Sequence, residues 1–142
     1  MGGVHAIIGA AVGSLFKKKS SAFIGGVISH FVADSLPHKD CKPSIDISIL
    51  LASLVVIAKW RGMDSPEFWG AVGGVIPDTE HGLLMLGLIK DEQEIFPTHI
   101  RSGIYHGAES DERWSQLLIG IVSAAIIALN SSDEPAQIAS GP

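Results

Sequence analysis

The sequence predicts an all-α protein, a compact bundle of about six helices. Three observations predict it. Apolar residues recur at helical spacings in several segments. No segment shows the strict alternation of a half-buried strand. Proline and glycine fall between the apolar segments, where helices start and stop. With 142 residues the chain is long enough for one domain with one core. We expect that domain over residues 1–130. A flexible tail is expected over 131–142, where SSDEPAQIASGP carries no apolar period.

The elements follow in order. The first helix is expected over residues 3–16, where Val4, Ile7, Ile8, Val12, Leu15 and Phe16 are apolar nearly all round. Lys17, Lys18, Lys19, Ser20 and Ser21 form a solvated turn or a cytoplasmic loop. The second helix covers 21–36 and stops at Pro37. A turn at 38–43 leads to a third helix over 44–60. There Ser44 is the expected N-cap, and Asp46 meets the positive end of the helix dipole. Ser65 as N-cap and Pro66 at the first helical position open a fourth helix, which runs to about Val75 and breaks at Pro77. A fifth runs from about Thr79 to Ile89. Residues 90–113 are polar and without period, as functional or disordered loops are. The last helix spans about 113–130. Gly9 with Gly13 and Gly70 with Gly74 set small residues four apart, a spacing that lets helix backbones approach closely.

Composition removes several function classes. Apolar residues make up 46% and charged residues 18%, which excludes a disordered chain. The net charge is −5 and no basic stripe is present, so no nucleic-acid-binding surface is evident. A single cysteine, Cys41, excludes a disulfide framework and a cysteine-rich zinc finger. The mean hydropathy of +0.35 raises the question of a membrane. The clean apolar runs, 47–58 and 117–129, each reach about 18–20 Å as helix. A hydrocarbon core is about 30 Å thick. The longer stretch 68–89 carries Pro77, Asp78, Glu80 and His81 in its middle. No basic n-region or clear cleavage site of a signal peptide opens the chain. Two descriptions survive: a compact bundle of buried helices, or a small membrane-embedded protein with a polar site inside it.

The chemistry lies in six histidines: His5, His30, His38, His81, His99 and His106. None falls in the apolar helices at 44–60 or 113–130. Each sits near the start, break or end of an element. His30 and Asp34, four residues apart, share a helix face and can hold one Zn²⁺ between them. His38 and Asp40 follow from the turn after Pro37. Asp78, Glu80 and His81 come together where the apolar pattern breaks at Pro77. In a dry setting such side chains are costly unless paired or metal-bound. Asp78 is also a credible N-cap. His99 and His106 lie with Arg101, whose guanidinium suits a phosphate, among the turn-permitting Gly103 and Gly107. His5 counts as part of this set.

The stretches His5 to Gly9, Ser29 to Asp34, Pro77 to His81 and Gly103 to His106 resemble the signature blocks of the membrane-bound metal-dependent hydrolases. That family is similar to zinc-dependent phospholipase C and to the zinc single-strand nucleases, which are all-α. The resemblance runs from residue 2 to about 108. In the family the His-xxx-Asp helix comes late in the chain, whereas here it precedes the Pro-Asp block. The family's His-Arg-Gly-x-x-His motif is matched only loosely by His99, Arg101, Gly103 and His106.

The resemblance implies metal-assisted hydrolysis of a phosphoester, with a phospholipid-like substrate; membrane association is expected from the mean hydropathy and the Gly-xxx-Gly spacings, against the short apolar runs. The alternative location is cytoplasmic. The expected metal ligands are His5, His30, Asp34, His38, Asp78, His81, His99 and His106. So many donors suggest two divalent ions, Zn²⁺ first, with Mn or Fe as alternatives. Glu80 is expected as a ligand or as a base for metal-bound water, and Arg101 as the phosphate-binding group. Two rival classes stay open: a non-catalytic metal-binding helical membrane protein, and a small membrane subunit on an ion or proton path.

Overall fold

The computed structural model describes residues 2–36, 42–93, 95–96 and 114–131. Among these residues the chain is all helical and no strand occurs. The helices are α1 (Gly2–Gly13), α2 (Lys19–Asp34), α3 (Pro43–Arg61), α4 (Pro66–Met85) and α5 (Trp114–Ser131), with a 3-10 turn at Asp91–Gln93. Helix α1 is central: it packs on α2, α3, α4 and α5, and α4 packs along both α1 and α2.

The packing is close because the contacting faces are nearly bare. A methyl group added at Gly70 would collide with the Gly9 carbonyl, and one at Gly26 with the Gly70 carbonyl. At Gly73 it would meet the Phe23 carbonyl. The small-residue spacings of α1 and α4 therefore do bring two backbones together, as the sequence predicts. Ala6, Ala10, Ala22 and Ala71 fill the same seam, and Ile57, Val75 and Ile127 supply the larger apolar volume.

Pro77 does not end a helix. The expected fourth and fifth helices are one element, α4, with the proline inside it. Pro77 lacks an N–H and its ring crowds the carbonyl four residues back. That residue is Gly73, whose bare face is locked against α2. Thr79 Oγ1 donates to the Val75 carbonyl at 3.1 Å, adding a bond across the same turn. Tertiary packing on both sides thus carries the helix through, and five α-helices stand among the described residues where six were expected.

Helix ends also differ from expectation: α1 stops at Gly13 rather than at residue 16, and α2 spans Lys19–Asp34 rather than 21–36, so Lys19, Ser20 and Ser21 are helix and not turn. Ser44 is not the N-cap of α3: Lys42 occupies that position and Pro43 the first turn. Proline suits it because its missing N–H would have no helical partner there. Helix α4 ends at Met85 rather than near Ile89. Gly87 takes φ +69°, its N–H donates to the Leu84 carbonyl, and the Leu88 N–H donates to the Leu83 carbonyl, both at 2.9 Å. That pair of bonds is a Schellman closure, which satisfies the terminal carbonyls and turns the chain. The start of α4 is as expected: Ser65 Oγ accepts from Phe68 N–H at 3.1 Å, with Pro66 next.

Candidate metal centre

Three helices deliver the site to one end of the bundle. His5 comes from the first turns of α1, His30 and Asp34 from the last turn of α2, and Asp78 from α4 just after Pro77. Helix α1 is held at its start by Asp46 of α3, whose two carboxylate oxygens accept the Gly2 N–H at 3.0 and 3.1 Å. One donor atom from each of His5, His30 and Asp78 lies within 4.8 Å of the others. Asp34 bridges the imidazoles: its Oδ1 is 3.0 Å from His5 Nε2 and its Oδ2 is 3.1 Å from His30 Nε2. Asp78 Oδ1 stands 4.0 Å from His30 Nε2. The two imidazole rings lie 4.2 Å apart.

Burial here runs against residue type. Among the described residues the largest fully buried side chains are Ile127, His5, His30, Asp34 and Pro77. Buried polar groups are kept where they are hydrogen-bonded, paired or bound to metal. Asp78, at 21% exposure, forms the open side.

The proton positions follow from the partners. A carbonyl oxygen only accepts, so the contact of His30 Nδ1 with the Gly74 carbonyl at 2.8 Å puts the proton on Nδ1. A neutral His30 then turns the lone pair of Nε2 toward the carboxylates of Asp34 and Asp78. Two acceptors at that distance repel unless a cation lies among them or His30 takes a second proton. Burial alone would lower the His30 pKa, but the Asp34 bond and the charges of Asp34 and Asp78 outweigh it and raise the value. Burial prevails at His5, whose pKa falls despite the Asp34 bond. At Asp34 burial would raise the pKa, yet bonds from His30 and His5 hold the carboxyl well below the usual range.

This donor set fits a divalent transition ion. Two imidazoles and a carboxylate suit Zn²⁺, Mn²⁺ or Fe²⁺. An ion about 2.1 Å from each donor sets donors ~3.4 Å apart. The observed spread of up to 4.8 Å therefore needs only a small closing movement. His5 Nδ1 is buried and has no hydrogen-bond partner among the described residues, an orphaned atom that a ligand would satisfy. The backbone carbonyl on His30 Nδ1 fixes that ring's tautomer, as second partners do for metal-bound histidines.

Of the expected ligands, the structure brings His5, His30, Asp34 and Asp78 together. His81, three residues beyond Asp78 on α4, does not join the His5, His30 and Asp78 group. Glu80 is engaged elsewhere: its Oε1 accepts from Ile95 N–H and its Oε2 from Phe96 N–H, both at 2.8 Å. His38, Asp40, His99, Arg101 and His106 lie outside the described residues, as do most of the polar segment 90–113 and the tail 132–142. Three participants escaped the sequence reading: the Gly74 carbonyl, Phe31 and Phe96. Phe31 meets the His30 ring edge-on at 6.0 Å, and Phe96 lies 6.3 Å from Phe31. Gly74, close ahead of Pro77, offered the one usable signal, a carbonyl beside an interrupted helix ladder. No family model, no curated protein and no solved structure matches this chain.

Proposed function

We propose that the protein is a metal-dependent hydrolase of a phosphoester, working on a phospholipid-like substrate at a membrane surface. The observation that carries this reading is the three-helix donor group His5, His30 and Asp78, buried at its base and open at Asp78. A purely structural ion is enclosed by its protein ligands, whereas a hydrolytic site keeps a position for water. When bound there, a divalent ion supplies a Lewis acid and an acidified water.

The chain's own residues do the rest. His30 presents Nε2, oriented by the Gly74 carbonyl. Asp34 holds the two imidazoles in register through its two oxygens. Asp78 marks the side from which a substrate enters. The phosphoester class comes from the resemblance of the four sequence blocks, and Arg101 remains the group proposed to hold the phosphate. Zn²⁺ is the ion proposed first, with a second ion held through His38, His81, His99 or His106.

Membrane contact is supported by the outward faces. Among the described residues no helix is long and apolar enough to cross a membrane. Yet Ile24, Ile28 and Val32 of α2, Leu51, Val55 and Val56 of α3, and Leu118, Ile121 and Val122 of α5 are all exposed. Apolar surface of that extent marks an interaction face.

One experiment tests the reading: metal content per chain, with turnover of a phosphodiester and a phospholipid by the metal-loaded protein. We expect at least one ion per chain and turnover that chelation abolishes. Asp78→Asn should lose both. A second reading, an ion that only staples the bundle, is favoured by the full burial of His5, His30 and Asp34. It predicts bound metal and a metal-dependent melting temperature without turnover of either substrate.

A further inference from the structure

We propose that Glu80 is a positioning residue, neither base nor ligand, that pins the backbone at Ile95 and Phe96 and so holds an aromatic wall against His30. The inference rests on the metal-site reading above. Glu80 accepts one N–H on each carboxylate oxygen, from consecutive residues 15 and 16 positions along the chain. Both bonds are 2.8 Å, the short length of charge-assisted pairs.

Helix geometry explains why this carboxylate works there. Residues two apart on a helix do not share a face. Asp78 Oδ1 stands 4.0 Å from His30 Nε2, and Glu80, two positions on, instead reaches the backbone of Ile95 and Phe96. The pinned residue then completes a row of rings. Phe96 lies against Phe31 at 6.3 Å, Phe31 stands edge-on to His30 at 6.0 Å, and His30 lies 4.2 Å from His5. Phe31 and Phe96 are both half-buried. They form the apolar shell beside the donors, and such a shell controls solvent access and ligand strength. The two Glu80 bonds tie the backbone of Ile95 and Phe96 to α4.

The test is a Co²⁺ titration of the full chain, read by the visible ligand-field bands, together with amide hydrogen exchange at residues 95 and 96. The proteins are wild type, Glu80→Gln, Phe96→Ala, the double variant, and Asp78→Asn as the ligand-loss control. Gln keeps the shape but offers one acceptor atom where Glu offers two. We expect Glu80→Gln to lower Co²⁺ affinity by about tenfold, the lower end for outer partners of metal ligands. Its bands should shift and its exchange at 95 and 96 should quicken. The double variant should bind no more weakly than the weaker single variant, because both act through one contact. Wild-type affinity and bands in Glu80→Gln would overturn the proposal, and so would additive losses. Loss of phosphoester turnover in Glu80→Gln with intact Co²⁺ binding would make Glu80 a base and overturn it as well. A wild-type chain that binds no Co²⁺ would overturn the metal reading itself, a result distinct from a bound ion that ignores Glu80.

Discussion

Asp34 is buried between two imidazoles, and its acidity carries a consequence for stability. Its pKa in the folded chain is lowered, so its stabilising contribution is complete above the ordinary carboxylate pKa and is lost as pH falls through and below that value. Asp34→Asn should therefore lower the stability of the metal-free protein at neutral pH and flatten its loss on acidification. Denaturant midpoints from pH 7 to pH 3 check this; a variant with an unchanged acid limb would contradict it. The raised pKa of His30 acts on metal affinity. Below that pKa an ion must displace a proton from Nε2, so affinity should fall as the solution is acidified, with proton release on binding. Calorimetric titration in buffers of different ionisation enthalpy measures that release. The pairing of His30 with Asp34 was legible because four-residue spacing fixes a shared helix face. The part of His5 was legible only within the set of six histidines. Its meeting with His30 depends on how α1 lies across α2, which no local pattern states.

At the scale of elements, the glycine seam sets the positions of the donors. Gly74 packs beside the backbone of His5 and Gly9, so the line that brings α4 onto α1 also brings Asp78 toward His5. Gly70→Ala should destabilise the fold by about 1–3 kcal/mol, since the obstructing atoms are backbone and have little room to move. Thermal or denaturant unfolding reads the loss; a neutral substitution would contradict the close approach of α1 and α4. A second element contact lies at the far end of α4. Arg61 donates from Nε and Nη2 to Glu67 Oε1 at 3.0 and 2.7 Å, with Glu67 almost fully buried. Breaking a buried pair by removing one partner costs about 3–5 kcal/mol, and Glu67→Ala should approach that loss. The seam itself was readable from Gly-xxx-Gly spacing. The continuity of α4 through Pro77 was not, because proline's local preference is overruled by the packing of Gly73 and Gly74 on neighbours distant in sequence.

At the scale of the whole molecule, the described residues join an interior rich in glycine and alanine to a surface that carries many large apolar side chains. The proposal of membrane association predicts that the chain sediments with phospholipid vesicles and needs detergent to stay dispersed. Clean recovery from the soluble fraction without detergent, with no vesicle binding, would contradict it. Composition announced the high hydropathy but left the direction of each apolar face open. That direction is set by the assembled helices: α3 and α5 flank α1 and turn much of their apolar surface outward. His99, Arg101 and His106 stand in a polar segment without period, where no local rule fixes a position, and they lie outside the described residues.

The central proposal is that His5, His30 and Asp78, gathered from three helices with Asp34 bridging the two imidazoles, hold a divalent metal ion. The most direct measurement is elemental analysis of the purified chain beside its His5→Ala, His30→Ala and Asp78→Ala variants, each checked for helical content by circular dichroism. The account predicts at least one transition-metal ion per wild-type chain and loss of that ion in each variant that keeps its helices. A wild-type chain that stays metal-free after loading with Zn²⁺, Mn²⁺ or Fe²⁺, or well-folded variants that retain the full complement, would contradict it.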